Sequence, residues 1–494
     1  MSDSPARPTN GTKGHAAARS NVIVPVLAVT GIVVALMQTL VLPIVPQLPH
    51  LLNASASDAT WAVTATLLTA AVATPVSGRL GDMFGKRRMM LTSLAVMLAG
   101  SVIAALSDSL GPLIVGRALQ GAASGVIPLG ISIMRDELPK ERLGSAAAMM
   151  SASMGVGAAL GLPTAALIAD NASWHALFWA STGLSALVIL LVVLLVPESK
   201  VRTGGRFDLV GALGLSVALV SLLLVISQGA DWGWTSGTTL GLFVTAVVVL
   251  LLWGRFELRT ANPLVNLRVT TRRQVLLTNL ASTAFSFSMY TMQLLVPRLM
   301  QLPAATGYGM GKSLLAVGLS MAPQGLVMMS MAGASAALSR AKGPKVTLML
   351  GAATVSAAYA LNILLMSQTW HLIMITCFIG AGVGLAYGAI PSLVMSAVPS
   401  SETGAANSLN TLMRSIGNST SSAVAGVIFA HVTVSFGATA VPSENGFKTV
   451  MAIASCSALL SLTLAAFLPR RQQPAGTTAT APLATETAVF EPKA

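Results

Sequence analysis

Long apolar runs separated by short polar loops dominate the chain. A helix that spans a lipid bilayer needs about 20 mostly apolar residues, and by this measure the pattern predicts about fourteen spanning helices. Several runs exceed the minimum and contain proline, which predicts tilted or kinked helices. The predicted segments are Val22–Leu48, Thr60–Gly78, Met89–Leu106, Leu110–Met134, Leu143–Ala169, His175–Val196, Leu209–Gln228, Thr238–Trp253, Gln274–Met300, Ser313–Leu338, Val346–Met366, His371–Met395, Gly404–Val434 and Phe447–Leu468.

The composition agrees with a chain solvated by lipid. Of 494 residues, 54% are apolar and 9% are charged, and the mean hydropathy is +0.76, whereas soluble proteins carry roughly 25% charged residues. The tails, residues 1–20 and 469–494, lack periodic apolar positions and are predicted to be disordered. Cys377 and Cys456 lie far apart in apolar runs, so neither a disulfide framework nor a metal site is expected.

The net charge of +13 would by itself suggest a protein that binds nucleic acid, so the positions of the basic residues matter. With both tails on the cytoplasmic side, twenty-four lysines and arginines fall on that side and three on the other, while Arg117 and Arg414 lie within the membrane. This distribution satisfies the positive-inside rule. It predicts a multi-pass protein of the plasma membrane with both termini cytoplasmic, and it removes the reason to expect nucleic acid.

The chain contains an internal repeat. Gly85-Lys86-Arg87 recurs as Gly343-Pro344-Lys345, and the string PKERLG at 139–144 recurs as PSSETG at 399–404. Two six-helix units are therefore predicted, over 21–199 and 274–468, with two additional helices inserted in 200–273. Parallel repeats of this kind are typical of transporters in which two halves rock around a central site. We expect an all-α membrane protein that acts as a monomer.

The loop after the second predicted helix, GRLGDMFGKRR at 78–88, combines turn-forming glycines, an acid and a basic run. Asp82 is placed to accept hydrogen bonds from a helix N-terminus or to pair with arginine and so to hold one conformation. The alternative is a positive-inside cluster with an incidental acid. The string resembles the signature loop of the major facilitator superfamily, which implies a gating role for Gly78, Asp82, Gly85, Lys86 and Arg87.

Further matches follow in the order that this superfamily shows. Arg117-Ala118-Leu119-Gln120-Gly121 resembles its R-x-x-Q-G motif, and the helix with Gly157, Gly161 and Pro163 resembles its antiporter motif. Trp174-His175-Ala176-Leu177-Phe178 is similar to the W-R-x-x-F string, with His175 in place of arginine. Together with fourteen helices, the resemblance covers roughly 20–470 and implies the fourteen-span drug:proton antiporter branch.

The chain departs from that branch in the first helix and in the antiporter motif. Met37 stands where the branch has an acid, and Leu42 stands where it has an asparagine. In the antiporter motif Leu162 separates Gly161 from Pro163. The first departure leaves open which residue binds the proton.

None of the nine acids in or near the predicted helices is expected at mid-membrane depth. Four acids lie near outer helix ends and five near inner ends. Because coupling needs a group that binds and releases a proton, the candidates are Asp136, Asp82 and Arg117; for both acids the alternative is a surface ion pair. The nine acids are Asp58, Asp108, Asp170 and Asp231 outside, and Asp82, Asp136, Glu137, Glu141 and Asp208 inside.

Three predicted helices carry polar residues at steps of three and four, which places them on one face of each helix. These faces predict a shared aqueous cavity for substrate, and the alternative is hydrogen bonding between helices. The candidate cavity residues are Gln38, Gln120, Tyr290, Gln293, Asn407, Asn410 and Arg414.

These features predict a secondary exporter of amphipathic organic compounds, neutral or anionic, driven by the proton gradient and without a cofactor. An importer or uniporter of the same fold is the first alternative. A membrane enzyme or receptor is the second, and the chain has no H-E-x-x-H, phosphate-binding loop or G-x-S-x-G string to support it.

Overall fold

The computed structural model describes residues 10–41, 44, 47–199, 201–202, 204, 206–261, 263–399, 402–436 and 439–469. The predicted C-terminal tail beyond 469, residues 1–9 of the N-terminal tail and the prolines at 43 and 46 lie outside the described residues.

The first half consists of helices that broadly follow the predicted runs, but the first helix, predicted to reach Leu48, ends at Thr39. The predicted fourth helix is interrupted by a 3-10 turn at Ala122–Gly125, and α1 begins at Asn10, inside the predicted N-terminal tail. The helices are α1 (Asn10–Thr39), α2 (Leu48–Leu51), α3 (Ala56–Phe84), α4 (Lys86–Ala105), α5 (Leu110–Gly121), α6 (Val126–Glu137), α7 (Lys140–Asn171) and α8 (His175–Leu195).

The second half begins with an inserted helical hairpin and ends with a further bundle. The helix predicted to reach Val434 stops at His431, and a two-stranded antiparallel hairpin, β1 (Thr433–Phe436) and β2 (Thr439–Pro442), follows it. The helices are α9 (Leu209–Trp232), α10 (Gly237–Glu257), α11 (Leu267–Thr270), α12 (Arg273–Gln301), α13 (Leu314–Lys342), α14 (Pro344–Leu364), α15 (Thr369–Met395), α16 (Thr403–His431) and α17 (Glu444–Ala466).

Eleven helices of the described chain are long and apolar enough to cross a membrane, with α5 and α6 counted as one. The long helices α7, α12 and α16 are not among these eleven. We call the end of the helices that carries the α3–α4 turn the basic end, because Lys86, Arg87 and Arg88 lie there.

Two separate apolar cores define two bundles. One core joins α1 to α8 around residues such as Met90 and Leu94, and the other joins α12 to α17 around Phe285 and Tyr359. Each bundle contains a pair of helices in close contact through glycines. A Cβ on Gly100 of α4 would lie 2.5 Å from the carbonyl oxygen of Gly116 of α5, and one on Gly351 of α14 would lie 2.6 Å from that of Gly382 of α15.

The bundles meet along two seams, α3 against α16 and α7 against α13. A third apolar cluster joins Ala71 of α3, Leu215 and Leu219 of α9, and Leu412 of α16. The inserted helix α9 therefore packs across the α3–α16 seam. Its neighbour α10 packs on α9, and only 11% of its apolar span is buried.

Candidate functional site

The predicted signature loop forms the turn between α3 and α4. Gly85 has φ +120°, and a side chain there would meet Oε1 of Glu198 at 2.8 Å. The Glu198 carboxylate accepts hydrogen bonds from the backbone N–H groups of Arg87 and Arg88, both at 3.2 Å. Since these amides are unpaired at the start of α4, the segment after α8 caps that helix and holds the loop.

Asp82 joins the two bundles and is fully buried. Its Oδ1 accepts a hydrogen bond from the N–H of Gly404 at 3.1 Å, and its Oδ2 accepts one from the N–H of Ala405 at 2.9 Å. These amides open α16, where the helix dipole favours a negative charge. The helices touch closely, because a Cβ on Gly404 would lie 2.8 Å from the carbonyl oxygen of Gly78. The structure thus places Asp82 at a helix N-terminus of the opposite bundle.

Arg135 makes a second connection at the same place. Its Nη1 donates a hydrogen bond to Oγ1 of Thr403 at 2.6 Å, and its Nη2 donates one to the carbonyl oxygen of Val398 at 3.0 Å. We call Asp82 and Arg135, with the residues of 398–405 that they contact, the α16 latch. It closes the α3–α16 seam at the basic end.

Lys86 and Asp136 form a buried ion pair behind the latch. Nζ of Lys86 lies 2.6 Å from Oδ2 of Asp136 and 3.8 Å from Oδ1 of Asp82, and the lysine side chain is fully buried. Ser199, after α8, donates a further hydrogen bond to Asp136. Two of the sequence-predicted coupling acids are therefore joined through one lysine.

Arg117 lies in the core of the first bundle with 1% of its surface exposed. It donates three hydrogen bonds, from Nε to the carbonyl of Ala62 at 3.0 Å and from Nη1 to the carbonyl of Met37 at 2.9 Å and Oε1 of Gln120 at 2.6 Å. Its Nη2 has no partner among the described residues. Carbonyl oxygens thus take the place that a carboxylate would hold beside a buried guanidinium.

Arg414 occupies the seam side of the second bundle and is 7% exposed. Its guanidinium carbon lies 3.7 Å from the ring centroid of Tyr387 on α15, a cation–π contact. Its Nη2 lies 3.3 Å from Sδ of Met154 on α7, across the seam. No described acid pairs with it, and Nε lacks a partner in the described chain.

The predicted polar faces make many bonds between helices. Nδ2 of Asn410 donates to Oδ1 of Asn279 at 2.9 Å, and Nε2 of Gln120 donates to Oγ of Ser101 at 2.9 Å. Asn407 instead donates to a carbonyl oxygen of its own helix, that of Thr403. All five side chains are buried. Their bonds therefore agree with hydrogen bonding between and within helices, which was the alternative to a water-filled cavity.

Three other candidate cavity residues, Gln38, Tyr290 and Gln293, are half-buried. Nε2 of Gln38 donates a hydrogen bond to Oγ of Ser124 at 3.1 Å, which ties α1 to the turn between α5 and α6. Tyr290 and Gln293 lie one turn apart on α12. Part of each of these three side chains is exposed.

The predicted antiporter motif serves as a packing surface on both sides of α7. A side chain on Gly157 or Gly161 would collide with atoms of α1. Pro163 faces the other bundle, since a Cβ on Gly318 of α13 would meet its backbone nitrogen at 2.8 Å. The motif thus joins α1, α7 and α13 toward the end opposite the basic end.

A cleft of about 360 Å³ lies at the same opposite end of the second bundle. Its lining includes Arg298, whose guanidinium lies 5.2 Å from the ring centroid of Phe429. No group of three or more His, Cys, Asp or Glu side chains in the described residues is placed to hold a metal ion.

Three contributors escaped the sequence analysis. The sequence suggested Arg135 only as a topological charge and a possible ion-pair partner of Asp82 or Asp136, it gave no role to Glu198, and Tyr387 lies in an apolar run. For Arg135 and Glu198 a signal was present, since each closely follows the end of a predicted helix on the side that carries the signature loop. For Tyr387 none was present, because its partner Arg414 belongs to another helix.

A model of the Major Facilitator Superfamily matches residues 27–422. An uncharacterized MFS-type transporter YvkA of Bacillus subtilis is 29% identical over 417 residues, covering 83% of this chain and 90% of that protein. Multidrug resistance protein 3 of the same organism is 27% identical over 367 residues, covering 72% of this chain and 69% of that protein.

The structure of the human organic anion transporter MFSD10 (TETRAN) superposes with a TM-score of 0.64 at 16% identity, covering 90% of this chain and 99% of that one. This likeness concerns the fold. The family match spans most of the chain, and the eleven apolar helices agree with it. The chain therefore belongs to the major facilitator superfamily, as a multi-pass membrane transporter and not an enzyme.

Proposed function

We propose that this transporter exports small amphipathic organic compounds, such as drugs or antibiotics, across the plasma membrane by proton antiport with alternating access. The observation that carries the proposal is the α16 latch. Asp82 accepts two hydrogen bonds and Arg135 donates two, and together they close one end of a seam between two bundles that each have a core of their own. Such a contact can open and close without disturbing either core.

The proposed membrane arrangement has fourteen spans. It adds α7, α12 and α16, each 29 to 32 residues long, to the eleven apolar helices. An even number of spans puts both termini on the same side, and the concentration of lysine and arginine at the basic end favours the cytoplasm for that side. We further propose that one chain suffices, since each seam lies within it.

Export against a gradient requires energy, and the proton gradient supplies enough. One charge moving through 100 mV contributes about 2.3 kcal/mol, and one pH unit contributes about 1.4 kcal/mol. Together they sustain a gradient of several hundred-fold in a neutral solute. Asp82, Asp136 and Arg117 are the proposed coupling residues, since the two acids share Lys86 and Arg117 lacks an acidic partner.

The interior charges favour neutral or anionic substrates. Arg117 and Arg414 are buried without a carboxylate partner in the described chain, so an entering dication would meet only like charge at these sites. Arg414 lies on the seam side beside Tyr387, which offers an aromatic face to an amphipathic compound. The relatives named multidrug resistance proteins favour export of drug-like compounds.

A solute importer or uniporter without proton antiport is the second candidate. Met37 favours it, because the first helix carries no acid at the position where the drug:proton antiporter branch has one. The direction and the energy source of transport separate the two candidates.

Uptake of labelled dyes and antibiotics into inverted membrane vesicles tests the proposal. We expect accumulation that requires an imposed pH gradient, acid inside, and that stops when an uncoupler removes the gradient. Uptake that only equalises the concentrations on the two sides, with or without the gradient, would favour the uniporter. The proposal is wrong if no compound of a broad neutral and anionic panel accumulates.

A further inference from the structure

Two carboxylates meet at the basic end of the inserted hairpin. Asp208 immediately precedes α9, and its Oδ1 accepts a hydrogen bond from the N–H of Gly211 at 2.7 Å. Glu257 is the last residue of α10 and is 2% exposed. A side chain on Gly211 would collide with Oδ2 of Asp208 and would lie 2.7 Å from Oε1 of Glu257. The two acids thus approach one another over a glycine that leaves room for both.

Most oxygens of the pair lack hydrogen-bond partners. Oδ2 of Asp208 and both oxygens of Glu257 are buried without a hydrogen bond of good geometry in the described chain. The Trp253 ring lies beside Glu257, but its Nε1 donates to the carbonyl of Gly211 at 2.8 Å. The backbone N–H groups of Leu264 and Val265 face the same carboxylate and make only weak hydrogen bonds to it. A buried carboxylate that has only weak donors and no cation is stabilised by retaining a proton or by gaining a cation.

No basic residue neutralises the pair in the described chain. Arg268 donates to the carbonyl oxygen of Leu258 instead. Two adjacent carboxylates without a cation cannot both ionise at low cost. The charged residues on the elements around the pair, none of them in an ion pair with it, are Arg206 before α9, Arg255 on α10, Arg259 and Arg268 after it, Arg79 and Asp82 on α3, and Glu402 and Arg414 at α16.

The pair is connected to the α16 latch through the loop that follows α10. Leu264 and Val265 are buried in the apolar cluster that joins α3, α9 and α16. The next residue, Asn266, places Nδ2 3.4 Å from both carboxylate oxygens of Glu402. Glu402 directly precedes Thr403, which Arg135 holds. A change of charge at the Asp208–Glu257 pair can therefore affect the latch through the loop after α10 and through Glu402.

We propose that Asp208 and Glu257 form a proton-binding carboxylate pair that sets how the inserted hairpin docks on the α16 latch. With one proton shared, the hairpin packs against α3 and α16 as in this structure. Loss of that proton places two negative charges side by side and separates the ends of α9 and α10. The binding of a proton stands by itself, whereas its use in coupling rests on the proposed function.

Infrared titration of the full chain in lipid nanodiscs tests the binding directly. A protonated carboxyl group gives a C=O stretching band that a carboxylate lacks, and we expect such a band at pH 7. Glu257→Gln should remove it. Glu444→Gln is the matched control, because Glu444 is exposed and paired with Lys448 at 2.7 Å, and it should leave the band unchanged.

Asp208→Asn keeps the proposal testable if Glu257→Gln does not fold. Asparagine caps a helix as well as aspartate does, so α9 should persist. Without the neighbouring negative charge, the pH at which half of the band intensity is lost should fall by about one unit or more. Any of three results would overturn the proposed pair. They are absence of the band in the wild type, survival of the band in Glu257→Gln, and an unchanged titration midpoint in Asp208→Asn.

The role in coupling is tested by two transport modes. In Glu257→Gln, gradient-driven accumulation should fall at least about tenfold. Exchange of labelled for unlabelled substrate, measured without a gradient, should persist. Unchanged gradient-driven accumulation would overturn the coupling role. A wild type that transports no compound would contradict the proposed function and leave the infrared result standing.

Discussion

Arg117 donates a hydrogen bond to the backbone carbonyl of Met37, the residue that occupies the place of the first-helix acid in the family branch that the sequence resembles. The contact joins α5 to α1 inside the first bundle. It leaves the guanidinium with carbonyl and amide oxygens only, and one of its nitrogens has no partner in the described chain. A positive charge therefore lies in this core without a negative counterpart.

An acid at position 37 should be tolerated because of that charge. We expect Met37→Asp to stay folded, with a melting temperature within a few degrees of the wild type. Met292→Asp is the matched control, since Met292 is equally buried in the second core, and an unpaired buried acid should destabilise it severely. Equal loss of stability in both variants, measured by thermal unfolding in detergent, would contradict this view of Arg117.

Arg117→Ala should abolish transport while leaving membrane insertion intact. The change removes the hydrogen bonds that Arg117 donates to the carbonyls of Ala62 and Met37, together with a charge buried in the first core. Transport into vesicles and the amount of protein in the membrane are the two measurements. Normal transport by this variant would remove Arg117 from the functional site.

Asp82→Asn should fold correctly and turn over about tenfold more slowly, which corresponds to about 1.4 kcal/mol in the barrier. The amide cannot supply the negative charge that favours the start of α16. Asp58→Asn, an exposed acid at the other end of the same helix, is the control and should match the wild type. Unaltered kinetics in Asp82→Asn would show that the latch does not limit turnover.

Gly404→Ala should loosen the latch, because the new methyl group would lie 2.7 Å from Oδ1 of Asp82. We expect faster labelling of a cysteine introduced at Phe84, the exposed end of α3. Gly333→Ala is the matched control on α13, where nothing lies within 4 Å of the added carbon. Equal labelling rates in the two variants would argue against close packing at the latch.

Tyr387→Leu should weaken binding of an anionic substrate by about tenfold, since cation–π contacts contribute about 0.5–2 kcal/mol and hold Arg414 in place. Tyr387→Phe retains the aromatic face and should bind nearly as well as the wild type. Fluorescence titration with one transported anionic dye measures both. Equal loss in the two variants would assign the effect to the hydroxyl group, which lies 3.2 Å from Oγ of Ser286.

Local patterns allowed much of the fold to be predicted. Apolar runs located the helices, and the turn at Gly85 followed from a glycine before a basic cluster. The break between α5 and α6 was not predicted, because Ala122–Gly125 lies within an apolar run that predicted one uninterrupted helix. The β-hairpin after α16 was missed because Val432 and Val434 extend the apolar run.

The site was less predictable, because its bonds join residues far apart in the chain. The sequence identified Asp82 as an acceptor for a helix N-terminus or an arginine, but the partner amides lie more than 320 residues away. Glu257 was overlooked, since it lies among arginines at a helix end and its lack of a partner depends on how α9 and α10 pack. Burial and pairing of charge are properties of tertiary structure.

Alternating access is tested most directly by distances at both ends of one molecule. Spin labels at Phe84 and Lys342 report the basic end, and labels at Leu106 and Trp370 report the opposite end, all on exposed positions, with Cys377 and Cys456 replaced by serine. As pH and substrate are varied, we predict that one distance lengthens while the other shortens. Distances that stay fixed at both ends under every condition, in protein that still transports, would contradict the rocking of two bundles.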